Sequence, residues 1–143
     1  MAAGSSNWGR AEAHASTVGL PEGTVTFVFT DIEGSTQRVA EIGDAAWARL
    51  LAEHHKILRE TLAAGVEVNT EGDGFFVAFA SAPEALQAAV SAQRALGSHS
   101  WPEGQRLRVR MGLHTGVALV RNNDYVGQQV RPGRIPDLSH ALR

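Results

Sequence analysis

Asp31 and Asp73 are the two side chains of this sequence whose types and spacing suggest joint chemistry. Asp31 ends a run of strand-favouring residues, Thr24 to Thr30, and Asp73 lies within Glu71-Gly72-Asp73-Gly74, a hairpin turn. Two carboxylates brought to one place repel each other unless a proton or a cation sits between them. Beside a backbone carbonyl such as that of Ile32, they offer hard oxygen ligands suited to Mg²⁺ or Mn²⁺. Gly34, Ser35 and Thr36 follow at a helix start, where N–H groups and the helix dipole favour phosphate. A divalent metal beside an anion cradle is the arrangement that phosphoryl or nucleotidyl transfer needs. Taken singly, an aspartate before a helix is a cap and an Asp-Gly pair is a turn former. The chemistry therefore depends on the two carboxylates meeting.

The elements around them make that meeting an expectation. In Thr24 to Thr30, Val25, Phe27 and Phe29 alternate with polar or smaller partners, and Asp31 to Thr36 reads as a polar turn opening towards a helix. Trp47, Leu50, Leu51, His54, Leu58 and Leu62 recur at helical spacing, with Gly65 as the stop. Val66 to Thr70 and Phe75 to Ala80 read as short strands. Ser81-Ala82-Pro83-Glu84 reads as a capping box for a helix that Gly97 ends. A long strand through Leu107, Val109, Met111 and Leu113 carries Arg106, Arg108 and Arg110 on its other face. After His114-Thr115-Gly116, Val117 to Val120 reads as a further strand, followed by a turn at Asn122 to Asp124. The order is strand, helix, strand, strand, helix, strand plus an extra hairpin. It predicts an α+β, ferredoxin-like βαββαβ sandwich with its helices on one sheet face. In that topology the first and third strands are antiparallel neighbours, which sets Asp31 beside Asp73.

Composition removes several other functions. Thirteen basic against fifteen acidic side chains leave a net charge of −2, which argues against a nucleic-acid or membrane-surface partner. There is no 18-residue apolar run to span a membrane, and no cysteine for disulfides, thiolate zinc sites or a thiol nucleophile. Residues 1–22 read as a disordered leader without the features of a secretory signal, so cytoplasmic residence is expected. His54 and His55 are adjacent and do not share a helix face, and His54 on the apolar stripe reads as a core or interface histidine. His114 is given no catalytic role. The arginine stripe reads as a solvated strand face, and Glu71 as either a third carboxylate or a solvated turn residue.

Gly23-Thr-Val-Thr-Phe-Val-Phe-Thr-Asp-Ile-Glu-Gly-Ser-Thr36, Asn69-Thr-Glu-Gly-Asp-Gly-Phe-Phe-Val-Ala-Phe79, Arg108-Val-Arg-Met-Gly-Leu-His-Thr-Gly-Val-Ala-Leu-Val120 and Asp124-Tyr-Val-Gly127 occur in that order. Together they resemble the class III nucleotide cyclase catalytic domain of bacterial type, over 23–127. The resemblance implies that Asp31, Asp73 and the Ile32 carbonyl hold Mg²⁺ or Mn²⁺. It implies that Gly34, Ser35 and Thr36 hold the β- and γ-phosphates, and that Asp124 accepts from the adenine amino group. The implied reaction is ATP to 3′,5′-cyclic AMP and pyrophosphate by two-metal catalysis, at sites formed between two chains, hence a homodimer or a heterodimer with a related cyclase chain.

The sequence departs from that pattern at three places. Asn69 stands where many adenylyl cyclases carry a base-contacting lysine, and Lys56 belongs to the first helix; the amide can donate without charge, so ATP stays favoured over GTP with weaker base selection. After Gly127, Arg131 and Ile135 take the places of the family's asparagine and transition-state arginine. A one-residue slip supplies Arg134 instead, while Pro132, Gly133 and Pro136 argue against the expected helix. Residues 128–143 thus read as a divergent tail that ends before the family's closing strands. Loss of a phosphate-clamping arginine costs on the order of 10³-fold in rate, so weak or no turnover by the isolated chain is expected. A non-catalytic homologue that binds nucleotide or pairs with a complete cyclase is the alternative. A diguanylate cyclase ranks last, because Glu71-Gly72-Asp73-Gly74 lacks that family's Gly-Gly-Asp-Glu-Phe run.

Overall fold

The computed structural model describes residues 19–126. The first 18 residues of the expected leader, Gly127 and the expected tail 128–143 with Arg134 lie outside the described residues.

Among the described residues, five strands and three helices follow one another as β1 (Gly23–Ile32), α1 (Ser35–Ile42), α2 (Asp44–Thr61), β2 (Val66–Glu71), β3 (Gly74–Phe79), α3 (Ala82–Ser98), β4 (Val109–Arg121) and β5 (Asp124–Val126), with a 3-10 turn at Pro102–Gly104 before β4. They form an antiparallel sheet in the order β2-β3-β1-β4-β5. This is the expected α+β architecture, with β1 and β3 as central neighbours.

Side-chain alternation along β1 divides the sheet into two apolar faces. Val28 and Ile32 pack with Val77, Phe79, Val109 and Met111 under Leu50 and Leu58 of α2 and Ala85, Ala89 and Ala92 of α3. Val25, Phe27 and Phe29 turn the other way, towards Phe76, Ala78, Ala118 and Tyr125, in a cluster that among the described residues contains no helix residue. Each large side chain buried in this way contributes about 1.5–3 kcal/mol, so both faces hold β1 in place.

Several boundaries differ from the sequence expectation. β1 runs on through Asp31 and Ile32 rather than stopping before them, because both residues pair with β4, at Arg110 and Val109. The first helical region is two helices. Gly43, at φ 88°, breaks it between Ile42 and Asp44, and its N–H still closes the α1 end on the Val39 carbonyl. Gly97 lies inside α3, which ends at Ser98. Ser81 caps α3 as expected, its Oγ accepting from the Glu84 N–H. The segment His114-Thr115-Gly116 does not interrupt β4. It pairs with Phe27, Thr26 and Val25 of β1, and the Thr26 and Thr115 hydroxyls meet at 2.8 Å. Leu107 precedes β4 instead of belonging to it. Ahead of β1, the Pro21 carbonyl accepts from the Tyr125 hydroxyl and the Glu22 carboxylate from the Val120 N–H.

Among the described residues no helix is long and apolar enough to cross a membrane.

Candidate active site

Close strand pairing sets Asp73 against the end of β1. The Thr30 Oγ1 accepts from the Phe75 N–H at 3.1 Å, tying the end of β1 to the start of β3. Gly74 makes that approach possible, since a Cβ there would stand 3.1 Å from the Thr30 carbonyl oxygen. One residue earlier, Asp73 Oδ2 accepts from the Ile32 N–H at 3.0 Å. The second carboxylate therefore lies against the strand end that carries the first. In a strand, the N–H and C=O of one residue project to the same edge. That alternation turns the Ile32 carbonyl towards the edge where Asp73 sits.

Asp31 is held differently. Its Oδ1 accepts from Arg110 Nε at 2.8 Å and its Oδ2 from Arg110 Nη2 at 2.7 Å, a two-bond fork between residues directly opposite on β1 and β4. Their side chains are 27% and 29% exposed, so the pair is mostly removed from solvent. The expected solvated arginine stripe thus holds for Arg106 and Arg108, which are exposed, and fails for Arg110. The missed signal was register: Arg110 is 79 positions from Asp31, and strand spacing alone does not say which residues stand opposite each other.

Gly34 adopts the left-handed conformation at φ 65° and caps α1 with no side-chain hydrogen bond. Gly34 and Thr36 are exposed and Ser35 is half-buried, so the start of α1 opens outward. Beside it, Glu33, Gly34, Gln37, Arg38, Glu41, Arg106 and Arg108 line an open depression of about 460 Å³. Arg38 stiffens its wall by donating to Gln105 Oε1 and to the Arg106 carbonyl. Asn69 is half-buried on β2, opposite Phe76 and on the helix-free face. Glu71 is exposed at the end of β2, in keeping with a solvated turn residue.

Asp124 is not brought to this site within one chain. It pairs with Arg121 at the far end of β4, exposed, with Oδ1 accepting from the Tyr125 N–H. Arg110 and Arg121 are eleven residues apart on one continuous strand, a span of about 35 Å at strand rise.

His54 and His55 do touch despite their adjacency on α2: their Nδ1 atoms lie 2.9 Å apart, so one ring donates and the other accepts. Both stand edge-on to Phe75, and the Arg59 guanidinium lies 5.3 Å from the centre of the same ring. This clamp braces the hairpin that carries Asp73. Burial, reinforced by the neighbouring His55, pushes the His54 pKa down to about 3. Burial followed by the Arg59 charge also lowers that of His55. Depressed histidine pKa values stabilise the fold above the ordinary value near 6.5, and the unfolded chain binds the extra proton below it. Stability is therefore expected to fall between pH 6.5 and about 3. Urea midpoints measured across that range should show a shallower acid decline in His54→Leu than in the parent chain.

Among the described residues no three His, Cys, Asp or Glu side chains cluster as a complete metal cage. Two carboxylates and a carbonyl nonetheless fit a magnesium-type ion, which keeps several waters and takes remaining ligands from substrate phosphates.

This geometry has relatives. The family model for the adenylate and guanylate cyclase catalytic domain matches residues 20–130. An adenylate cyclase of Schizosaccharomyces pombe is 34% identical over 140 aligned positions, covering 79% of this chain and 8% of the relative. An uncharacterised protein of Mycobacterium tuberculosis is 36% identical over 126 positions, covering 84% of this chain and 41% of that protein. A solved Trypanosoma brucei adenylate cyclase, described in its monomeric state, superposes with a TM-score of 0.68 at 29% identity, covering 76% of this chain and 66% of that one. The chain belongs to the adenylate and guanylate cyclase catalytic-domain family, and its α+β sheet is the fold of those domains. It spans less than a tenth of the fungal relative's length. Members of the family generally use divalent metals, bind nucleoside triphosphates and often dimerise.

Proposed function

We propose that this chain is an adenylyl cyclase catalytic domain that forms 3′,5′-cyclic AMP and pyrophosphate from ATP. The observation that carries the reading is the Asp73 carboxylate bonded to the Ile32 N–H, beside Asp31 and at the mouth of the exposed α1 start. Asp31, Asp73 and the Ile32 carbonyl would hold Mg²⁺ or Mn²⁺. Two such ions would act there, one helping the ribose 3′-hydroxyl attack the α-phosphate and the other holding the departing pyrophosphate. The N–H groups of Gly34, Ser35 and Thr36 receive the β- and γ-phosphates, where the α1 dipole favours negative charge. Asn69 donates to a ring nitrogen of the base, and Asp124 accepts from the adenine amino group. Arg134 is the candidate for clamping charge in the transition state.

The length of β4 separates Asp124 from the carboxylates of its own chain, which supports a site completed by a second chain. That chain is a second copy or a related cyclase. The test follows from this geometry. Asp73→Asn and Asp124→Ala chains are each expected to be nearly inactive with ATP and Mn²⁺, and an equimolar mixture to regain cyclic AMP formation. Activity that the mixture fails to restore, with a competent parent chain, removes the two-chain site. ATP binding by the parent without turnover favours the non-catalytic homologue, for which the sequence departures at Arg131 to Pro136 are the supporting observation. Asp124→Ala should also erase the preference for ATP over GTP, read as the ratio of kcat/KM values.

A further inference from the structure

Asp31 and Asp73 are held in unequal ways. Asp73 is fastened through one oxygen by a neutral backbone N–H, whereas both oxygens of Asp31 are engaged by the Arg110 fork. A carboxylate gripped on both oxygens by a guanidinium already has its charge neutralised. We propose that Arg110 is an internal counter-cation for Asp31, a positioning residue that keeps the two carboxylates apart in charge until a divalent ion displaces it. The inference rests on the metal role given above to Asp31 and Asp73.

Three observations support it. Arg110 stands directly across from Asp31 in the β1–β4 register, so the pairing follows from the backbone and not from a chance surface encounter. The pair is mostly screened from water, where such a fork is stronger than an exposed ion pair. Asp73 Oδ2, by contrast, accepts from the neutral Ile32 N–H, whereas the two bonds of the guanidinium fork go to Asp31. With the fork in place, repulsion between the aspartates is relieved without any metal. A divalent ion must then exchange for the guanidinium, which lowers the metal affinity of nucleotide-free protein.

The experiment is a Mn²⁺ titration of nucleotide-free protein, following free Mn²⁺ by electron paramagnetic resonance. Arg110→Gln is expected to bind Mn²⁺ about tenfold more tightly than the parent, because the ion no longer has to displace a charge-assisted hydrogen-bonded pair of that strength. Arg110→Lys, which keeps the charge without the fork, should fall between the two. Equal or weaker binding by Arg110→Gln overturns the inference while leaving the metal site standing. If neither the parent nor Arg110→Gln binds Mn²⁺, the metal site fails and the inference with it. A second measurement needs no variant to fold. The side-chain Nε–H resonance of Arg110 in the parent should be slowly exchanging without metal and should shift or broaden on adding Mg²⁺. A resonance that stays unmoved at saturating Mg²⁺ also overturns it.

Discussion

Replacing Asp73 by asparagine is expected to cut metal-dependent cyclic nucleotide formation by on the order of 10³-fold or more while leaving the fold intact. The two halves of that expectation have separate causes. Asparagine has nearly the same shape, and its amide oxygen can still accept from the Ile32 N–H that Asp73 Oδ2 now occupies at 3.0 Å. The tie between the turn and β1 therefore survives. What disappears is one of two negative charges that would face the cation, and no third acidic side chain among the described residues completes a cage there. Cyclic AMP formation with Mn²⁺ and a thermal melt, measured on the same preparation, check both halves. Unchanged turnover in a folded D73N chain would show that the nucleotide chemistry does not use this carboxylate.

Phe27→Ala is expected to give the largest loss of stability, about 3–5 kcal/mol. Phe27 is fully buried in the middle of β1, with ring centres at 5.1 Å from Tyr125, 5.2 Å from Phe76 and 6.3 Å from Phe29. Truncation leaves a cavity lined by these rings, which cannot collapse without moving β3 or β5. For a domain of this size the melting temperature should drop by about 15 °C or more, measurable by circular dichroism. Phe27→Leu, which retains much of the volume, should lose far less. A small drop for the alanine variant would mean that the helix-free face contributes little to holding β1, the strand that presents Asp31.

The placement of Asp73 against the end of β1 was legible because it depends on element order. Alternation of Val25, Phe27 and Phe29 marks a strand, the Gly-Asp-Gly run marks a hairpin, and the βαββαβ order makes β1 and β3 neighbours. Alternation also assigns each residue to a face, but not to a partner. That is why Arg110 reads as solvated from its spacing and is found gripping Asp31. The continuity of β4 was hidden for a similar reason. His114-Thr115-Gly116 looks like an interruption until β1 supplies opposing residues, Phe27, Thr26 and Val25, for it to pair with. The meeting of His54 and His55 follows from burial against Phe75, which no helical wheel reports.

Residue types and their order by themselves determined the class of fold, the helix start at Ser35 and His54 as a core residue, since these depend on local periodicity and chain connectivity. Tertiary structure alone decided which charge opposes Asp31, how far Asp124 stands from it, and that the two histidine rings meet. Those outcomes depend on register and packing between segments distant in sequence, where a shift of one residue would exchange every neighbour.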